Sequence, residues 1–458
     1  MAPKFGTSGL RGLVTELTPA CVTDHVRAFA MACPTGTGLF VAHDLRPSSP
    51  DIAMMVMQAG QEAGLQVTMC GAVPTPALAL AAMTAGAAAV MVTGSHIPAD
   101  RNGLKFYTPQ GEITKAHEAA ILAALGKADT VQTGPAVLTD GTASASYIAR
   151  YVDAYGDALK GQHIGVYGHS AVGRDMMVDL LSALGARVIK LGWSDTFVPV
   201  DTEAVASTLR QQLKDWAAEH QCDAIVSTDG DGDRPLVADA TGEVVVGDIL
   251  GQITAATLQA DHVVTPVSSN TGVELGGRFQ SVTRTQIGSP FVIAAMEKRG
   301  GRIVGYEANG GFLLGFGAAA PEGKLAPLMT RDAVLPIVAS LATAKEGGLA
   351  ARVAAEPARF TAADRLQEVP QQKAQDFVAQ MLNDPGARAG FLDHLDATES
   401  AINAIDGPRM TLRDGRVVHV RPSGNAPELR LYVEADTAER ANATLKRGLA
   451  ELAKALGS

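Results

Sequence analysis

Two hydrophobic patterns alternate along the chain. Short β-branched runs are followed by stretches whose apolar positions return every three or four residues, which predicts strands alternating with amphipathic helices in parallel βαβ units. Two segments repeat this order. GLFVAHDLRPSSPDIAMMVMQAGQEAGLQVTMCGAVPTP from Gly38 and HIGVYGHSAVGRDMMVDLLSALGARVIKLGWSDTFVP from His163 each read strand, loop, helix, strand, so an internal repeat of α/β units is expected. Three further apolar strands run straight into polar, glycine-bearing loops: AAAVMV into TGSHIP, DAIVST into DGDGDR and RIVGY into EANGG. Open α/β sheets bind ligands beyond the carboxyl ends of their strands. One such loop per domain, gathered around a common cleft, is therefore the predicted arrangement.

The pattern changes towards the C-terminus. DGRVVHVRPSG and ELRLYVEAD read as strands, Asp414-Gly415 is a hairpin signal, and ERANATLKRGLAELAKAL is an amphipathic closing helix. Residues 366–406 are more polar and helical in pattern. The fold class expected is α/β: three related α/β domains with mixed sheets around a central cleft, plus a C-terminal α+β lid. The divisions are expected at 1–150, 151–255, 256–365 and 366–458, in keeping with a 458-residue chain too long for one core. From Met69 to Ala99 there is no Lys, Arg, Asp or Glu. Pro74, Pro76 and the many alanines and glycines of that stretch predict a buried helix followed by a buried strand rather than a membrane span.

Composition narrows the partners. At 47% apolar and 19% charged with 48 glycines, the chain suits a soluble α/β enzyme with many tight turns. Its formal charge of −10 disfavours nucleic acid, whose backbone is bound by clustered Lys and Arg. Cys21, Cys33, Cys70 and Cys222 show no close metal-ligand spacing and suggest no disulfide framework. The opening MAPKFGTSGLRG lacks the pattern of a signal peptide. A cytoplasmic protein acting on a small molecule is expected, with neither nucleic acid nor membrane as partner.

Candidate chemistry lies in the loops. DGDGDR sets Asp229, Asp231 and Asp233 at alternate positions with glycines between, so the backbone can curl and three carboxylates converge on a hard cation, for which Mg²⁺ is the natural occupant. An EF-hand is excluded, because Arg234 and Ala240 stand where that loop needs Gly and Glu. TGSHIP places Ser95 and His96 just beyond an apolar strand. Ser95 is a plausible nucleophile but lacks the G-x-S-x-G setting of α/β-hydrolases, and a serine in a turn is commonly a turn or cap residue. RPSGNAPELR offers the donor fork of Arg421, the hydroxyl of Ser423 and a close backbone approach at Gly424, which suits a phosphate; solvated arginines at 421 and 430 are the plainer reading. Glu307 and Asn309 of EANGG can accept and donate to sugar hydroxyls or simply form a polar turn.

Taken together, FGTSGLRG, TGSHIP, DGDGDR, GYEANGG and RPSGNAPELR resemble, in order and spacing, the α-D-phosphohexomutase superfamily and its bacterial phosphomannomutase/phosphoglucomutase branch. The resemblance implies interconversion of hexose 6- and 1-phosphates, mannose or glucose, through a phosphorylated Ser95 and a hexose 1,6-bisphosphate that also serves as activator. It implies Mg²⁺ on Asp229, Asp231, Asp233 and the Ser95 phosphate. Arg11, Lys105 and Arg234 would surround the transferring group, and His96 would position the serine. Glu307 and Asn309 would hold sugar hydroxyls, while Arg421, Ser423, Gly424, Asn425 and Arg430 would grip the other phosphate. The chain departs from the family pattern at Ile97, where Asn is usual, at Asn309 and Gly311, where Ser and His are usual, and at Ser289, where His is common. These departures leave the general acid and base, and the choice of sugar, open. A phosphoglucosamine mutase, a metal-assisted phosphatase and a non-catalytic phosphosugar-binding protein remain alternatives at this point.

Overall fold

The repeated strand, helix, strand pattern folds as it reads. Leu39–His43 and Val67–Ala72 are parallel neighbours joined through the helix Ser49–Glu62, and His163–His169 and Arg187–Trp193 are parallel neighbours joined through the helix Arg174–Ala183. In the first helix Pro50 stands in the opening turn, where its missing amide is not needed. The same helix buries Ile52, Ala53, Val56 and Ala59 with Leu39, Val41 and Val67 in one apolar core. Each aliphatic side chain so buried contributes about 1.5–3 kcal/mol.

The chain is described, in a computed structural model, at residues 3–6, 9–127, 134–344, 347–423 and 427–457. It divides into two compact units, Met1–Val264 with Ser289–Ala355, and Thr265–Gly288 with Glu356–Ser458.

The first unit holds three mixed sheets. In the first, Ala88–Val92 lies parallel to Leu39–His43 and antiparallel to Arg101–Thr108. In the second, Ala224–Thr228 lies parallel to His163–His169 and antiparallel to Pro235–Asp239. In the third, Ile303–Tyr306 lies parallel to His262–Pro266 and antiparallel to Phe312–Leu314, which pairs in turn with Leu328–Asp332. The charge-free stretch forms the helix Thr75–Thr84 and the wholly buried strand Ala88–Val92. Its helix has no polar face because both sides are covered. No single helix among the described residues is long and apolar enough to cross a membrane.

In the second unit the strands run antiparallel in the order Phe360–Leu366, Leu429–Ala435, Val417–Pro422, Arg409–Leu412, Glu399–Asn403. The helices Gln371–Asn383, Pro385–Asp393 and Ala438–Leu456 supply the rest of its core. Asp414-Gly415 makes the hairpin, with Gly415 at φ +83 in the left-handed region that favours glycine.

Phe360–Leu366 pairs along its whole length with Leu429–Ala435 and so belongs with the second unit. Thr265–Gly288 also leaves the stretch expected as a third domain. It is tied to the second unit by Arg409 Nε donating to Val267 O at 2.8 Å, Ile287 N to Asp406 Oδ2 at 3.1 Å and Thr271 N to Glu434 Oε1 at 3.1 Å.

Candidate active site

Ser95 follows its strand by three residues and is fully buried, at a backbone φ of +54 that non-glycine residues seldom adopt. Such a conformation costs about 1–2 kcal/mol and persists only where the surroundings over-determine it. Here they do. Ser95 N donates to Thr93 Oγ1 at 2.8 Å, and Thr93 Oγ1 donates to Asp44 Oδ2 at 2.7 Å. The buried Arg46 guanidinium donates to the carbonyls of Ser95 (2.9 Å), Ile97 (2.6 Å), Pro98 (2.7 Å) and Arg101 (3.0 Å), and lies 4.0 Å over the Phe197 ring.

The aspartate loop meets this serine. Gly232, at φ +77, lets the backbone curl. Ser95 Oγ donates to Asp229 Oδ2 at 2.6 Å, and Asp229 Oδ1 accepts from the amides of Asp233 and Arg234 at 3.2 Å. Asp231 Oδ2 takes Thr75 Oγ1 at 2.6 Å and Lys105 Nζ at 2.5 Å. Asp233 Oδ2 takes Lys105 Nζ at 2.5 Å and an Arg331 amino group at 2.9 Å. The remaining oxygens, Asp231 Oδ1 and Asp233 Oδ1, are buried with no hydrogen-bond partner among the described residues. One oxygen from each aspartate lies within 4.8 Å of the others. Three buried carboxylates that bring hard oxygens this close, two of them with an oxygen lacking a hydrogen-bond partner, suit a small divalent cation, so the three aspartates can hold a metal.

The charges of the cluster follow from its burial. Burial first, and then Asp231 and Asp233, raise Asp229 well above the usual carboxylate range. Burial opposes ionisation of Asp231 too, but Lys105 and the hydrogen bonds outweigh it and hold this carboxyl below that range. Burial, with Arg234 beside it, lowers His96 to about 3, so the ring is neutral and accepts from Arg234 at 3.0 Å; its Nδ1 is 3.4 Å from Ser95 Oγ. Arg11 is brought to about 10 by burial and by Arg234 and Arg331, and stays cationic.

The third loop joins them. Glu307 N donates to Gly311 O at 3.1 Å and Gly311 N to Asn309 Oδ1 at 3.0 Å, so Asn309 shapes its own turn. Glu307 Oε2 lies 3.6 Å from Arg331, which also contacts Asp233. Ser95, His96, Arg11, Lys105, Arg234, the three aspartates and Glu307 thus come together in the first unit.

The expected phosphate loop belongs to the second unit. Arg421 pairs with Asp406 at 3.5 Å, Arg430 with Glu428 at 3.3 Å, and Ser423 N donates to Glu428 O at 2.9 Å. Gly424 and Asn425 lie outside the described residues. Sequence reasoning missed Asp44, Arg46, Thr75, Glu112 and Arg331. The available signal was a charged residue next to apolar runs, HDLRPSS after one strand and LMTRDAV at the end of another.

A buried hydroxyl held against a carboxylate triad and ringed by cations, at the mouths of mixed α/β sheets, defines an enzyme of phosphoryl transfer. The chain belongs to the phosphoglucomutase/phosphomannomutase family and is an intramolecular phosphotransferase: the models for α/β/α domains I, II and III match residues 2–132, 145–242 and 244–360, and that for the C-terminal domain matches 350–450. It is 43% identical to a phosphomannomutase of Sinorhizobium fredii over 99% of both chains. It is also 43% identical to one of Salmonella muenchen, over 99% of this chain and 96% of that one. Identity to a phosphoglucosamine mutase of Thermobifida fusca is 30%, over 98% and 97%. Among solved structures, a phosphoglucomutase/phosphomannomutase family protein of Burkholderia thailandensis shares the fold with a TM-score of 0.76 at 19% identity, over 98% and 97% of the two chains.

Proposed function

We propose that this chain is a phosphohexomutase interconverting hexose 6-phosphate and hexose 1-phosphate, of mannose or glucose, through phosphorylated Ser95. The observation that carries the reading is the 2.6 Å hydrogen bond from Ser95 Oγ to Asp229 inside the aspartate triad. The sugar assignment is supported by 43% identity to phosphomannomutases against 30% to a phosphoglucosamine mutase.

Asp229, Asp231 and Asp233, with a phosphate oxygen on Ser95, would hold Mg²⁺, which when bound offsets the negative charge of the phosphoryl group. Lys105, Arg234 and Arg11 surround the group being transferred, and His96 accepts from Arg234 to hold that side chain beside Ser95. Glu307 and Asn309 hold the sugar hydroxyls. Arg421, Ser423, Gly424, Asn425 and Arg430 grip the phosphate that stays behind.

In the first half-reaction the bond from phosphorus to Ser95 Oγ breaks as one to the free sugar hydroxyl forms. The proton that the sugar hydroxyl loses is balanced by one gained at Ser95 Oγ, which then donates to Asp229 Oδ2. The hexose 1,6-bisphosphate reorients, and its other phosphoryl group returns to Ser95. Water must be kept from the phosphorylated serine throughout, so that transfer outruns hydrolysis.

The test is to incubate purified protein with Mg²⁺, a trace of glucose 1,6-bisphosphate and, separately, the 1-phosphates of mannose, glucose and glucosamine. Formation of mannose or glucose 6-phosphate, lost on chelation, is expected. Conversion of the glucosamine ester alone, or release of inorganic phosphate alone, would overturn the reading.

A further inference from the structure

The Arg331 side chain, 1% exposed, reaches a carboxylate from each of three sheets in the first unit. It lies 3.4 Å from Glu112, 2.9 Å from Asp233 and 3.6 Å from Glu307. Two of those carboxylates have other support. Glu112 accepts from Ser289 Oγ at 2.7 Å, Thr330 Oγ1 at 3.2 Å and the Arg331 amide at 3.1 Å, while Asp233 is held by Lys105. Glu307 does not share this support: its Oε2 is buried with no hydrogen-bond partner, and its only ion pair is with Arg331, among the described residues.

The neighbouring glycine makes room for this arrangement. A Cβ at Gly311 would lie 3.0 Å from Arg331 Cδ, 3.1 Å from its Cγ and 3.2 Å from Asn309 Oδ1. The arginine stem therefore fills the space that a side chain at 311 would take.

We propose that Arg331 is the positioning residue for sugar discrimination, acting through Glu307; this rests on the mutase reading above. Arg331 holds the Glu307 carboxylate from one side while its stem fills the space beside Gly311. With Arg331 in place, Glu307 is aimed at one position and accepts from a hydroxyl of the correct orientation. Without it, the Glu307 side chain can turn to meet either orientation and selectivity is lost. Asp233 loses one of its close cations in the change, but Lys105 and Thr75 still orient the triad, so metal binding falls far less than sugar selectivity.

The experiment is a double-mutant cycle on purified enzyme with Mg²⁺ and glucose 1,6-bisphosphate. It compares kcat/KM on the best and worst of the mannose, glucose and glucosamine 1-phosphates. Arg331→Met should lower kcat/KM on the best sugar about tenfold or more, the scale of a lost charged hydrogen-bonding partner, and bring the sugars within about threefold of each other. In a Glu307→Gln background the same substitution should cost less than about threefold, since the carboxylate that Arg331 holds is already gone. Mn²⁺ affinity, read by electron paramagnetic resonance, should stay within about threefold. Arg331→Lys runs the same cycle if the methionine variant melts early, with smaller amplitude and the same non-additivity. Additive losses, an unchanged sugar ratio, or Mn²⁺ affinity falling in step with activity would overturn the inference. A wild-type enzyme that converts none of the three sugars would remove the mutase reading, and this inference with it.

Discussion

Lys105 and Arg331 are 4% and 1% exposed and share wholly buried aspartates, whereas Arg421 and Arg430 are 16% and 37% exposed and each pairs with a carboxylate of its own unit. The first set is fixed before any ligand arrives. Its cations hold one oxygen of Asp231 and of Asp233 and leave the other turned free. The second set is held more loosely, because partly exposed ion pairs contribute only about 0–1 kcal/mol; under the proposed reading an incoming phosphate would displace them at little loss. Under the proposed reading, chemistry that must recur at one atom is built rigid, and recognition that must release a product is built from weak pairs.

That contrast is open to attack at each end. Lys105→Met leaves the buried Asp231 without its ion-pair partner and Asp233 with Arg331 as its remaining close cation, and should lower unfolding stability by about 3–5 kcal/mol, measured in denaturant, with mutase activity abolished. A loss below about 1 kcal/mol would show that the triad is not pre-organised by charge. Arg421→Ala should instead raise KM for the sugar phosphate about 10- to 100-fold, the scale of a charged hydrogen bond, while thermal stability barely changes. A large drop in melting temperature there would erase the distinction.

A smaller effect concerns pH. Burial lowers His169 and His419 to about 4, assisted at His169 by Arg174 and at His419 by Arg409 and Arg421. In the unfolded chain each titrates near 6.5. Between pH 6.5 and 4 the unfolded state therefore binds more protons, so the contribution is complete above pH 6.5 and lost as pH falls towards 4. Unfolding free energy should fall across that window by an amount on the order of 3 kcal/mol per histidine, read as a falling melting temperature. A flat profile would mean that both rings are solvated.

The sequence made the local parts legible. Strands ending in polar loops, the repeated βαβ order and the Asp414-Gly415 turn each depend on neighbours in the chain, and each reads correctly. Phe360–Leu366 did not read as a strand, because most of its side chains are exposed and it shows no alternation; only its pairing with Leu429–Ala435 defines it. Among the candidate site residues, the aspartates announced themselves by type and spacing, whereas Ser95 stood out from an ordinary turn serine only through the resemblance. Arg46 and Arg331 did not, since an isolated arginine near an apolar run gives no hint of its partners: the carbonyls Arg46 holds start 49 residues away, and the Glu112 contact of Arg331 spans 219.

The most direct test of the account follows phosphorus to Ser95. Enzyme with Mg²⁺ is labelled with [³²P]glucose 1,6-bisphosphate, mapped by peptide, and chased with unlabelled mannose 1-phosphate, beside Ser95→Ala treated the same way. The account predicts label on the peptide containing Ser95, its transfer to sugar during the chase, and a folded Ser95→Ala variant that takes up none and loses most mutase activity. Turnover by Ser95→Ala at near the wild-type rate, or label on another residue that chases equally well, would contradict it.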